Sequence, residues 1–138
     1  EACGISTAAA DIVDFTCADI GTVIDVTVFV SDASGNIAAC VAQVMVVDLL
    51  APELTCPADQ TQDPGPGNVL WEVPDYFANG EATATDNCTD PVVITTQDPA
   101  AGTLLPDGVY TVTMTAEDEY GNVATCDFEL TIESILGN

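Results

Sequence analysis

The chain reads as an all-β protein: tandem antiparallel β-sandwiches, the first incomplete on its N-terminal side. Three observations predict this class. Short runs of alternating apolar and polar residues recur between clusters of Pro, Gly, Asn and Asp, and no stretch shows helical periodicity. One stretch occurs twice, as Asp32-Ala33-Ser34-Gly35-Asn36-Ile37-Ala38-Ala39-Cys40 and as Asp118-Glu119-Tyr120-Gly121-Asn122-Val123-Ala124-Thr125-Cys126, 86 positions apart. Upstream, Val23 to Val28 lines up with Val109 to Met114 at the same offset. A period of that size is one small domain, and 138 residues hold one such unit and part of another.

The elements follow in order. In residues 1–50, the later part of a repeat, Gly21 to Asp32 alternates with Val26, Val28 and Val30 on one face. Cys40, Ala42, Val44 and Val46 share a parity in the next run. Asp32 to Asn36 joins the two runs as a hairpin turn, with Asp opening a type I turn and Gly35 taking the left-handed position. Pro52 ends pairing and marks a boundary near Leu50.

Residues 51–134 read as a complete unit, with 135–138 as a tail. Glu53 to Cys56 is a short strand, and Asp63 to Gly67 is a turn cluster. Val69, Trp71 and Val73 are expected to point inward, with Trp71 across the middle of the core. Pro74 to Asp90 is a polar excursion, Val92 to Thr96 a strand, and Asp98 to Asp107 mostly loop. Val109 to Ala116 and Val123 to Ile132 form the closing hairpin.

Composition excludes several functions. There are 23 Asp and Glu and no Lys, Arg or His, so no carboxylate can pair with a cationic side chain of its own chain. Repulsion must be relieved by solvent, counterions, bound cations or a basic partner. Nucleic acid and anionic membranes are poor partners and are not expected, because both recruit the cations this chain lacks. No apolar run approaches the roughly 18 residues of a span, so membrane insertion is not expected. Glu1 is not followed by a signal-peptide pattern, which places any export signal outside this sequence. The common nucleophile–base arrangements need His or Lys, so an enzyme is not expected. Six cysteines without a Cys-x-x-Cys pair or any His point to disulfides in an oxidising compartment rather than to zinc or thiol catalysis.

Leu54-Thr55-Cys56-Pro57, Trp71, Asp86-Asn87-Cys88, Leu105-Pro106-Asp107-Gly108 and Ala116 through Phe128 follow one another as in the hyalin repeat (HYR), which this stretch resembles. The resemblance implies an immunoglobulin-like extracellular module over residues 51–133. Cys3-Gly4-Ile5 and Phe15 to Gly21 resemble repeats of large gliding-motility adhesins of the Bacteroidota. In such proteins an HYR-like unit precedes the sorting domain read by the type IX secretion system, and Ile132 to Asn138 looks like that approach. A cysteine that many relatives carry around Gly67 to Val69 is absent here.

Six cysteines allow 15 connectivities. Cys56 and Cys126 share an inward parity on strands that neighbour each other in an Ig-like sandwich, so that bridge is expected. Cys3 and Cys17 make a local staple. Cys40 corresponds to Cys126, and the partner it should have lies upstream of Glu1. Cys88 corresponds loosely to Cys3, but Thr103 stands where the equivalent of Cys17 would be. Cys40 and Cys88 are therefore expected to be unpaired within this sequence, with a Cys40–Cys88 bridge as the alternative.

The acids sort by topology. Asp48, Glu53, Asp75, Glu81, Asp86, Asp90, Glu117, Asp118 and Glu119 are expected to converge on the junction end of the second unit. Clustered hard oxygens without a cation are what Ca²⁺ uses, typically with 6–8 ligands. The expected ligands are Asp48, Glu53, Asp86, Asp90 and Asp118. The competing reading is that Asp in Asp-x-x-Gly first of all closes a turn, and no EF-hand pattern is present. The expected role is a structural and adhesive repeat at the cell surface, whose partners are neighbouring repeats and a surface, polysaccharide or protein ligand. The alternatives are a carbohydrate- or protein-binding module using exposed Tyr76, Phe77 and Tyr120, or a cap beside a sorting signal that meets the secretion machinery.

Overall fold

The computed structural model of the chain describes residues 5–135. It divides into two compact units, Glu1–Asp48 and Leu49–Asn138. The first is a three-stranded antiparallel sheet in the order β1-β2-β3, formed by β1 (Ile5–Ala10), β2 (Val23–Asp32) and β3 (Ile37–Met45). A short 3-10 turn, Cys17–Asp19, precedes β2; the Asp19 carboxylate accepts from the Thr16 backbone N–H at 2.7 Å.

The second unit holds β4 (Glu53–Thr55), β5 (Gln60–Gln62), β6 (Trp71–Glu72), β7 (Thr83–Thr85), β8 (Ile94–Asp98), β9 (Leu104–Leu105), β10 (Gly108–Glu117) and β11 (Val123–Ile132). One layer is the sheet β5-β11-β10-β8; the other consists of the pairs β4-β7 and β6-β9. All pairings in the four-stranded sheet are antiparallel except β5 with β11, where Leu130 to Ile132 run parallel to Gln60 to Gln62.

Alternation makes the core. Even-numbered residues of β10 and β11 face the opposite layer, and Val112, Met114, Ala116, Leu130 and Ile132 are buried to within 1%. Val73, Tyr76, Ala82, Leu105 and Phe128 complete the cluster, with Leu54, Cys56, Trp71 and Cys126 packed against it. The Tyr76 ring meets Phe128 edge to face at 5.0 Å between centroids, a favoured aromatic geometry. The Tyr110 hydroxyl donates to the Pro106 carbonyl at 2.8 Å, pinning the approach to β10.

Several expectations are corrected. Val69 does not point inward; it is exposed. The Pro-Gly cluster continues with positive φ at Gly65 and Gly67, and the Asn68 side chain donates to the Pro64 carbonyl, so pairing starts only at Trp71. Trp71 is half-buried at the edge of the core; Tyr76, in the excursion read as polar, occupies the fully buried place. The stretch read as mostly loop after Asp98 contributes β9, and the second unit has a further strand, β5, that composition concealed because it is made of Gln and Thr.

Candidate functional site

The repeated turn builds the site. In both copies an aspartate folds the chain around its own carboxylate. Asp118 Oδ1 accepts from the backbone N–H groups of Tyr120 and Asn122 at 2.9 and 2.8 Å, and Oδ2 accepts from Asn122 Nδ2 at 2.8 Å. Asp32 is held identically by Ser34 and Asn36 at 2.9, 2.9 and 2.8 Å. Gly35 and Gly121 close the turns at φ +83° and +88°, a region that strains residues bearing a Cβ. The hydrogen bonds of Asn36 hold the Asp32 carboxyl below the usual range. Burial opposes ionisation of Asp118, but the bonds from Asn122, Tyr120 and Gly121 outweigh it, and its carboxyl also titrates low. Asp118 is thus a buried, ionised carboxylate, 1% exposed.

A second aspartate turn faces it. Asp86 Oδ2 accepts from the backbone N–H groups of Cys88 and Thr89 at 2.9 and 2.8 Å. The buried Thr89 hydroxyl accepts from the Glu119 N–H at 3.2 Å and ties this turn to the Asp118 turn. Carboxylate oxygens of Asp86 and Asp118 lie within 4.8 Å of one another. Asp118 is buried, and the buried Oδ1 of Asp86 has no hydrogen-bond partner. Carboxylates this close favour a compensating positive charge, and the chain has no cationic side chain to supply one. A shallow hollow lined by Leu50, Ala51, Glu53, Thr85, Asp86 and Asn87 opens beside Asp86. Hard oxygen donors, one of them buried and unsatisfied, fit a divalent cation of the Ca²⁺ type.

Of the four expected ligands in the second unit, the structure gathers Asp86 and Asp118 and leaves Glu53 and Asp90 out; the fifth, Asp48, belongs to the first unit. Glu53 sits on β4 with the parity opposite to inward-facing Leu54, so its side chain is exposed. Asp90 follows buried Thr89 and is likewise exposed. Thr89 was not anticipated; its signal was the Asp-x-x-Thr spacing from Asp86, which closes an Asx-type turn.

Cys56 and Cys126 form a disulfide with Cα atoms 6.0 Å apart. Cys40 is free and exposed. The expectation that Cys88 is unpaired is overturned, since Cys17 and Cys88 are both disulfide-bonded. Repeat register had left Cys88 without a partner, with Thr103 at the position equivalent to Cys17, but a half-buried loop cysteine is not bound by strand register. The expected Cys3 half of a Cys3–Cys17 staple lies outside the described residues. Exposed Tyr76 is also corrected: it is 0% exposed, while Phe77 is half-buried and Tyr120 is exposed. Among the described residues no helix is long and apolar enough to cross a membrane.

This architecture has known relatives. The HYR domain matches residues 47–132, a span that takes in Asp86 and Asp118. The chain is also similar to the rat (Rattus norvegicus) sushi, von Willebrand factor type A, EGF and pentraxin domain-containing protein 1, with 30% identity over 115 residues. That alignment covers 78% of the chain, so it extends into the first unit, but only 3% of the much longer relative. In homologues the HYR domain is an extracellular, adhesion-type module. With the family matched over more than half its length, the chain belongs to the HYR domain family.

Proposed function

We propose that this chain is a non-catalytic structural and adhesive module of an extracellular surface protein, strung in tandem with further repeats. The observation that carries this reading is the HYR match on a two-layer core clamped by Cys56–Cys126. Its work is mechanical: a clamped sandwich holds its shape outside the cell. The gliding-motility adhesin with type IX secretion, and the cap beside a sorting domain, are finer versions of this reading. They rest on the resemblance of Phe15 to Gly21 and of Ile132 to Asn138 alone.

Within this role, Ca²⁺ at Asp86 and Asp118 neutralises the paired carboxylates and ties the two aspartate turns of the second unit together. Thermal unfolding in millimolar Ca²⁺, Mg²⁺ or EDTA tests it. A ligand at 100 times its Kd stabilises by about 2.7 kcal/mol. We expect a calcium-selective rise in Tm that Asp86→Asn abolishes. Equal small shifts with both ions would reduce the cluster to general charge screening and sink the calcium reading.

A second reading has one observation in its favour. Asp75, Phe77, Thr95, Gln97 and Ala101 line an open groove on the second unit. An aromatic edge beside polar groups suits a sugar or peptide. Polysaccharide binding lost in Phe77→Ala, at unchanged Tm, would favour it over a purely mechanical role.

A further inference from the structure

β8 (Ile94–Asp98) closes one edge of the four-stranded sheet of the second unit. Its inner side pairs with β10 in unbroken register, from Ile94 opposite Glu117 to Asp98 opposite Thr113. Its outer side is open: among the described residues, no backbone hydrogen bond outside that ladder reaches Ile94 to Asp98. Every second residue of such a strand turns its N–H and C=O outward, which makes the edge a template for another strand. Proteins blunt exposed edges with bulges, proline or charge. From Ile94 to Gln97, β8 has none of these, and Ile94, Thr95 and Thr96 are β-branched residues that favour strands. The groove of about 360 Å³ bounded by Asp75, Phe77, Ala78 and Ala101 has Thr95, Thr96 and Gln97 as its β8 wall. Consecutive strand residues point to opposite faces, so a groove touching all three meets β8 at its edge. The polar side chains there are already engaged. Gln97 accepts from the Tyr76 N–H at 3.0 Å and donates to the Pro74 and Pro99 carbonyls at 2.8 and 3.3 Å. Asp75 Oδ1 accepts from the Phe77 and Ala78 N–H groups at 3.1 and 3.0 Å. What remains to bind with is the β8 backbone and two threonine hydroxyls, beside the half-buried Phe77 ring.

We propose that this edge takes an extended, basic peptide segment of another protein, which adds beside β8 as a fifth strand of the sheet. The proposal rests on the reading of the groove as a ligand site and names its ligand. Main-chain hydrogen bonds hold such a strand, and the flanking side chains select it. On the groove side, an apolar residue of the incoming strand packs against Phe77 and Ala78. On the outer face, Ile94, Thr96 and Asp98 are exposed and stand in line with Glu117, Thr115 and Thr113. Acids therefore mark both ends of β8: Glu117 opposite Ile94, and Asp98 with Asp127 on either side of Thr113. No cationic side chain of the chain is available to them. Lys or Arg toward the ends of the added strand supplies the complementary charge. A second copy of this chain does not fit, because it brings another 23 Asp and Glu and no cation.

Calorimetric titration and amide exchange by NMR on residues 1–138 test this. The probe is a synthetic peptide as long as β8, alternating valine and threonine, with a lysine added at each end. We expect saturable binding and slowed exchange at alternate amides of Ile94 to Asp98. N-methylating the probe's pairing amides should lower affinity about tenfold or more. Exchanging its lysines for glutamates should abolish binding, and added salt should weaken it. All variants are in the probe, so the folding of the chain is not in question. No binding up to about 1 mM, or binding indifferent to N-methylation, would overturn the proposal. Polysaccharide binding that depends on Phe77, without a response to the probe, would overturn strand addition and leave the ligand-site reading standing. Silence toward both ligands would remove both.

Discussion

The two copies of the hairpin show what local sequence decides and what it leaves to the surroundings. β2–β3 and β10–β11 have the same turn, hydrogen bonds and register. Local chemistry suffices for that, because an Asp-x-x-Gly turn with an asparagine lock fixes the strand pairing on its own. Burial is not local. Met114 and Phe128 are within 4% of full burial, while their counterparts Val28 and Ala42 are half-covered and exposed; only Val26, matching Val112, is buried in both copies. Their outward faces differ as well: β11 presents Asp127 and Glu129, where β3 presents Val41 and Gln43. A hairpin is thus only half of a stable sandwich, and stability should be concentrated in the unit whose second layer is present.

Paired substitutions at matched positions measure that contrast. The largest effect is expected at the aromatic core. Phe128→Ala should cost about 3–5 kcal/mol, whereas Ala42→Ser, at the equivalent exposed site, should stay within about 0.5 kcal/mol. Urea unfolding followed by Trp71 fluorescence reads the first directly. Similar costs at both sites would mean that the first unit is already covered. Next comes the clamp. The Cys56–Cys126 bond closes a separation of 70 residues, and Cys56→Ser with Cys126→Ser should lose about 2–4 kcal/mol. Cys40→Ser should leave the melting of residues 1–138 unchanged, because it breaks no bond in this chain.

The sequence made the hairpins legible because they combine period-two alternation with strong turn chemistry, and the internal repeat reported the same answer twice. The Cys56–Cys126 pairing was readable for the same reason: both cysteines share parity with core residues. β5 was not, since Gln60, Thr61 and Gln62 lack an apolar face and are held by backbone pairing to β11. In the site, Asp118 and Asp86 could be found from their turns. Glu53 was misplaced because proximity in chain order says nothing of strand parity. Thr89 was missed because its Asp-x-x-Thr spacing marks only its own turn, and not the bond its hydroxyl makes to the Asp118 turn. Tyr76 was misread because a loop rich in Asp, Asn and Gly conceals an inward anchor.

Tyr76 also gives the finest test of how completely the second unit is packed. Its hydroxyl is buried without a hydrogen-bond partner, which carries a desolvation cost of about 1–3 kcal/mol. Phenylalanine keeps the edge-to-face contact with Phe128 and removes the unsatisfied group. Tyr76→Phe should therefore match or exceed the wild type in stability by about 1 kcal/mol at pH 7. The effect of pH has a definite sign. Burial, and secondarily the charge of Glu81, raises the Tyr76 phenol to about 12. The folded state thus holds this proton more tightly than the unfolded chain, whose phenols ionise near 10. That contribution is fully present below about pH 10 and is lost as pH rises toward 12. Denaturation between pH 9 and 12 should show a decline in wild type that Tyr76→Phe reduces. A marked loss of stability in Tyr76→Phe at pH 7 would instead mean that an internal water satisfies the hydroxyl, and the core would be less dry than its side chains suggest.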